Sequence, residues 1–112
     1  MSIQTAKLLV VYVPISAVES VKAAVFSAGG GVIGAYSHCA WQTVGQGQFL
    51  PSQSANPAVG SMGVCEKLEE VKVEILCDQT VVNAVSNAIY HHHPYEEPVF
   101  FFLDLAGTEV AT

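Results

Sequence analysis

Hydrophobic positions along the chain change period several times, and each change marks an element. Lys7-Leu8-Leu9-Val10-Val11-Tyr12-Val13 is an apolar, β-branched run closed by Pro14, the pattern of a buried strand central in its sheet. Ser16 followed by Glu19 reads as a capping box, and Val18, Val21, Val25 and Ala28 then recur at helical spacing toward Gly29. The spacing predicts a helix over 16–28. Tyr36 to Val44 alternates and stops at Gly45-Gln46-Gly47, after which Gln48 to Leu50 is again strand-like, so a hairpin is expected there. On that reading His38 and Cys39 lie on a strand, and Cys39 and Trp41 share one of its faces. Pro51 to Gly63 holds Pro, Ser, Asn and Gly with little periodicity and reads as an ordered excursion or a flexible loop. Because Phe49 and Leu50 are apolar, the whole segment 45–63 is expected to reach out from the sheet and bury those two side chains against a neighbouring subunit.

Glu70 to Leu76 alternates strictly, with Val71, Val73 and Ile75 on the inner face. Asp78 can cap a second helix, over 80–92, whose Val82, Val85 and Ile89 form one stripe and which Pro94 terminates. A last strand runs from about Pro98 to Leu105. The order strand, helix, strand, strand, helix, strand predicts an α+β, ferredoxin-like split βαβ domain. One antiparallel sheet carries two helices on the same face, plus an extended hairpin. Val10, Val21, Val25, Val73, Ile75, Val85 and Ile89 are the expected core. The bare face of such a sheet needs cover, which points to a homo-oligomer.

Composition narrows the partners. The chain of 112 residues is read as a single domain over 1–112, long enough to bury a core. Its four basic residues are all lysines, against ten carboxylates, for a net charge of −6. Without arginine or a basic cluster, neither nucleic acid nor an anionic membrane surface is an expected partner. No apolar run approaches the ~18 residues of a membrane span, and Met1 to Pro14 lacks an export-signal pattern. Three cysteines without CxxC spacing fit reduced thiols, so a cytoplasmic setting is expected.

Two clusters invite chemistry. Gly29, Gly31 and Gly34 spell G-x-G-x-x-G, but they follow a predicted helix and precede a strand, the reverse of the dinucleotide fingerprint. They read as a helix C-cap with a tight turn. His91-His92-His93 stands beside Glu96 and Glu97, and imidazole and carboxylate are both good metal ligands. Successive helical residues point about 100° apart, so three adjacent histidines do not converge on one ion. The candidate ligand-binding residues are His38, His93, Tyr95, Glu96 and Glu97. Pro94 and Pro98 stiffen the segment between them, and one of its glutamates is expected to bond donors near the Tyr36–Cys39 strand while the other stays solvated. The sequence specifies no cofactor; a divalent metal ion is the candidate.

Several separated motifs carry a family resemblance. Gly34-Ala35-Tyr36-Ser37-His38-Cys39-Ala40-Trp41-Gln42-Thr43, then Gly45-Gln46-Gly47-Gln48-Phe49-Leu50-Pro51, Ala55-Asn56-Pro57 with Gly60, and His93-Pro94-Tyr95-Glu96-Glu97-Pro98 together resemble the YqfO-type insert domain of the Nif-three-like dinuclear-metal family. In larger members this CutA-like domain interrupts a core that supplies the ligands of two metal ions, and that core is not recognisable here. His92-His93-Pro94 looks like a metal motif of the core, yet Tyr95-Glu96-Glu97 continues it in the insert pattern, so the metal site is not carried over. The resemblance implies a CutA-like fold and a trimer formed through sheet edges, and fold alone licenses no activity. The chain is therefore read as a non-catalytic, oligomeric ligand-binding or regulatory module rather than an enzyme. The alternative is a metal-assisted hydrolase using His93, Glu96 and Glu97, with His38 brought close by the fold.

Overall fold

The computed structural model describes residues 4–107. Six elements follow in order: β1 (Ala6–Pro14), α1 (Val18–Ser27), β2 (Trp41–Phe49), β3 (Glu66–Asp78), α2 (Val82–His92) and β4 (Phe100–Asp104), with a short 3-10 turn ahead of each helix. The sheet order is β2-β3-β1-β4, and every pair is antiparallel. This is the expected ferredoxin-like arrangement.

The register explains the layers. Leu9, Val11 and Val13 on β1 lie opposite Ile75, Val73 and Val71 on β3. All six are buried with Val18, Val21 and Val25 of α1 and Val85 and Ile89 of α2, and Phe100 and Phe102 of β4 pack against the edge. Both helices therefore cover one face of the sheet. Val10 is also buried, but by alternation it belongs to the opposite face, beside Glu74 and Phe101. That face carries Trp41, Phe101 and Leu103, which are 67%, 40% and 44% exposed.

Three expectations need correction. The Ser16–Glu19 capping box does not form: Ser16 lies inside the 3-10 turn, no side chain caps α1, and Glu19 pairs with Lys22 at 3.0 Å. The strand expected from Tyr36 begins only at Trp41. Two further positions toward the N-terminus would put Cys39 opposite Leu76, but the Leu76 carbonyl already accepts from Gly31 N–H at 2.9 Å. The β3 edge is thus occupied, and residues 33–40 turn away through an Ile33–Tyr36 bridge. Finally, Gly45-Gln46-Gly47 is no turn. It lies inside β2, which runs on to Phe49, and the hairpin is closed by residues 50–65.

The glycine cluster does act as a stop. Gly29, at φ +109°, ends α1, and Gly30 sits where an added Cβ would lie 2.8 Å from Val25 and 3.1 Å from Cys77. Asp78 accepts from Thr80 N–H at 3.1 Å and Thr80 Oγ1–H at 2.7 Å, as a cap should.

Val73 is the centre of the wall shared by both helices. Val73→Ala should cost about 1–3 kcal/mol in urea melts, and an unchanged midpoint would remove it from the core.

Candidate functional site

His93 is the residue from which the site is built. It follows the last turn of α2 in extended conformation and is 7% exposed. Its Nε2 is 2.7 Å from the Tyr12 carbonyl, and its Nδ1 accepts from Tyr95 N–H at 3.1 Å. A carbonyl can only accept and a backbone N–H can only donate, so the ring is neutral with its proton on Nε2. Burial holds its pKa below the usual 6.5 despite the Tyr12 carbonyl and the Glu70 charge. Both nitrogens are thereby committed to backbone, and neither is free to bind an ion.

The bolt carries the following turn across the edge of β1, just beyond β4, where Tyr12 N–H bonds the Val99 carbonyl. Tyr95 lands on the sheet face opposite the helices. Its hydroxyl donates to Glu70 Oε2 at 2.7 Å, and its ring meets Phe49 edge-on at 5.9 Å. Burial and then the Glu70 contact push the Tyr95 pKa upward, so the phenol stays protonated and donating. Gly47 makes room: a Cβ there would collide with the Glu70 carboxylate. Glu96 Oε1 accepts from Asn56 N–H at 3.1 Å, tying the turn to the 50–65 loop, whose ends are drawn together by Gly63 N–H on the Pro51 carbonyl at 2.7 Å.

Between these walls lies a cleft of about 550 Å³, bounded by Tyr12, Phe49, Glu70, Tyr95, Glu96 and Glu97 and by apolar residues of the 50–65 loop. That volume is in the range of small-molecule sites.

Of the sequence candidates, Tyr95, Glu96 and Glu97 line the cleft. His93 stands behind it as a structural group. His38 is elsewhere: it adopts φ +57° in the turn before β2, with its ring 4.9 Å from Phe26 and its Nδ1 2.9 Å from Ser37 Oγ. That turn hangs from Leu76, toward one end of the β1–β3 ladder, whereas His93 bonds Tyr12, paired with Lys72 toward the other end of that ladder. Among the described residues no three His, Cys, Asp or Glu side chains are gathered to hold a metal ion. The bonded glutamate meets Asn56 rather than the Tyr36–Cys39 segment, because that segment never joins the sheet. Phe49 packs edge-on against Tyr95 of its own chain, and Leu50 is 62% exposed. Sequence reading missed Glu70 and Tyr12 as site residues. A glycine inside a strand, Gly47, was the available signal for a close approach.

Comparisons with known proteins agree with this geometry. No family model matches the chain. Two curated relatives, each named GTP cyclohydrolase 1 type 2 homolog, are 50% identical over 91 residues in Mycobacterium leprae and 45% identical over 94 residues in Bacillus subtilis. These alignments cover 81% and 84% of this chain. A Bacillus cereus protein related to NIF3 superposes with a TM-score of 0.80 at 31% identity over 99% of the chain. The chain matches one segment of these YqfO/NIF3-related proteins. It spans about a quarter of the curated relatives, 24% and 25%, and 29% of the B. cereus protein. The periplasmic divalent cation tolerance protein CutA from Archaeoglobus fulgidus shares the fold at TM-score 0.65 and 12% identity, covering 91% of this chain and 85% of that one.

Two outcomes test the site. Because His93 is held neutral, the unfolded chain takes up a proton below pH 6.5 that the folded chain refuses; stability is complete above 6.5 and falls as the pH drops below it. Urea midpoints should decline between about pH 6.5 and 5, and His93→Gln should be less stable at pH 7 and flatter across that window. Gly47→Ala should displace Glu70, break its bond to Tyr95 and cost about 1–2 kcal/mol, with little further loss when Tyr95→Phe is added.

Proposed function

We propose that this chain is a non-catalytic ligand-binding or regulatory module that works as a homo-oligomer, a trimer in keeping with the CutA resemblance. The cleft carries this reading. It is built by four separate parts of the chain, and Glu70, Tyr95 and Glu96 in it are held by hydrogen bonds rather than poised as nucleophile and base. The hydrolase alternative needs His38 beside His93 and the glutamates, whereas their anchors, Leu76 and Tyr12, lie toward opposite ends of the β1–β3 ladder. What the larger relatives do as whole proteins is not transferred to this segment.

The open sheet face supports the oligomer. Trp41, Phe101 and Leu103 stand on it with the buried Val10, so a partner covering them would remove a sizeable apolar surface from water. Residues 1–112 act as one such module on this reading. Among the described residues no helix is long and apolar enough to cross a membrane, and Cys39, Cys65 and Cys77 are free thiols, in keeping with the cytoplasm. Burial raises the Cys77 thiol to about 11, so it is a packing group rather than a nucleophile.

Light scattering of the purified protein should give the mass of an oligomer, and Leu103→Glu should lower it toward the monomer. A fragment screen by NMR should shift Phe49, Tyr95 and Val59 together. A monomeric wild type would remove the oligomer, and a screen that leaves those residues unmoved would remove the ligand site.

A further inference from the structure

The cleft is charged on one side only. Glu70, Glu96 and Glu97 line it beside the rings of Tyr12, Phe49 and Tyr95, and no lysine or histidine is among its lining residues. The cavity and its aromatic walls define the site, and the carboxylates set its sign. Glu70 accepts from the Tyr95 hydroxyl and Glu96 from the Asn56 amide, both uncharged donors, so neither charge is neutralised. Glu97 has no hydrogen-bond or ion-pair partner among the described residues. The two lysine ion pairs of those residues, Lys7–Asp104 and Lys22–Glu19, involve none of the lining carboxylates. Lys72 lies opposite Tyr12 on the same sheet face, but it is exposed and outside the lining.

An anionic ligand entering this cleft would meet three carboxylates with no fixed cation to offset them. A cation would meet complementary charge there, at the half-buried Glu70 and the exposed Glu96 and Glu97. The lining residues Tyr12, Phe49 and Tyr95 supply apolar surface for the body of such a ligand. The net charge of −6 adds a field of the same sign.

We propose that the cleft takes an organic cation, an ammonium or guanidinium head on an apolar body. The head pairs with a single carboxylate of the cleft, Glu70, Glu96 or Glu97, with the other two adding charge of the same sign at longer range, and the body lies against Phe49, Tyr95 and the apolar 50–65 loop. This rests on the ligand-site reading above and adds its chemical class. A nucleotide or other phosphate is correspondingly excluded from this cleft.

The test is a titration of the full chain with three probes of one shape, followed by NMR: phenethylamine, phenethyl alcohol and phenylacetate. Phenethylamine should shift Phe49, Tyr95 and Val59 and bind at least tenfold more tightly than phenylacetate. Added salt should weaken the amine and leave the alcohol unchanged. Glu97→Gln, at an exposed position without a partner, should weaken the amine and not the alcohol, and Glu70→Gln should do the same if it keeps the wild-type fold. Equal shifts from all three probes, or tighter binding of phenylacetate, would overturn the cationic class and leave the ligand site standing. No shift in the cleft from any probe would overturn both.

Discussion

Everything else in this molecule depends on the pairing of β1 with β3. Nine residues of each strand lie in one antiparallel register, Ala6 opposite Asp78 through Pro14 opposite Glu70. That register places three apolar residues of β1 directly against three of β3 on one face, and β-branched side chains pack well on such a pleated surface. The wall they make is where both helices settle. Since neither helix can reach the other face, the ladder that builds the core also decides that Trp41, Phe101 and Leu103 are left outside.

The two ends of that ladder are finished differently. At the Leu76 end a backbone group of the glycine turn takes the edge of β3 and keeps His38 out of the sheet. At the Tyr12 end a buried imidazole bonds backbone with both nitrogens, fixing the angle at which the chain leaves α2 and reaches the opposite face. A buried ring of this kind must have both polar atoms satisfied, and among the described residues no buried side-chain nitrogen or oxygen lacks a partner. The histidine that resembled a ligand is therefore used to place Tyr95 and Glu96, which do line the cleft.

β3 extends beyond β1 by four residues, Glu66 to Glu69, which pair with β2 alone. This overhang gives the 50–65 loop a platform from which to fold back toward the 93–99 turn. Glu70 stands where the overhang begins and links the two through Tyr95. The same carboxylate thus shapes the cleft and contributes to its charge, an economy that becomes possible because Gly47 leaves its space open.

The periodicities of the chain determined much of this. Alternation over residues 70–76, the apolar run 7–13 and the two helical stripes depend on local geometry, and they gave the element order, the two helices on one face and most of the core. The family resemblance was equally legible, because its motifs are short and in order. The start of β2 was not, since it depends on which backbone group reaches Leu76 first, a contact between residues 45 positions apart in sequence. The roles of the histidines and glutamates were hidden for the same reason. Residue type states what His93 or Glu70 can bond, but the partners, Tyr12 at 81 positions from His93 and Tyr95 at 25 from Glu70, are supplied only by the folded chain. Sequence determined the layers through local period, and tertiary structure alone decided which polar groups were consumed in holding the fold and which were left to line the cleft.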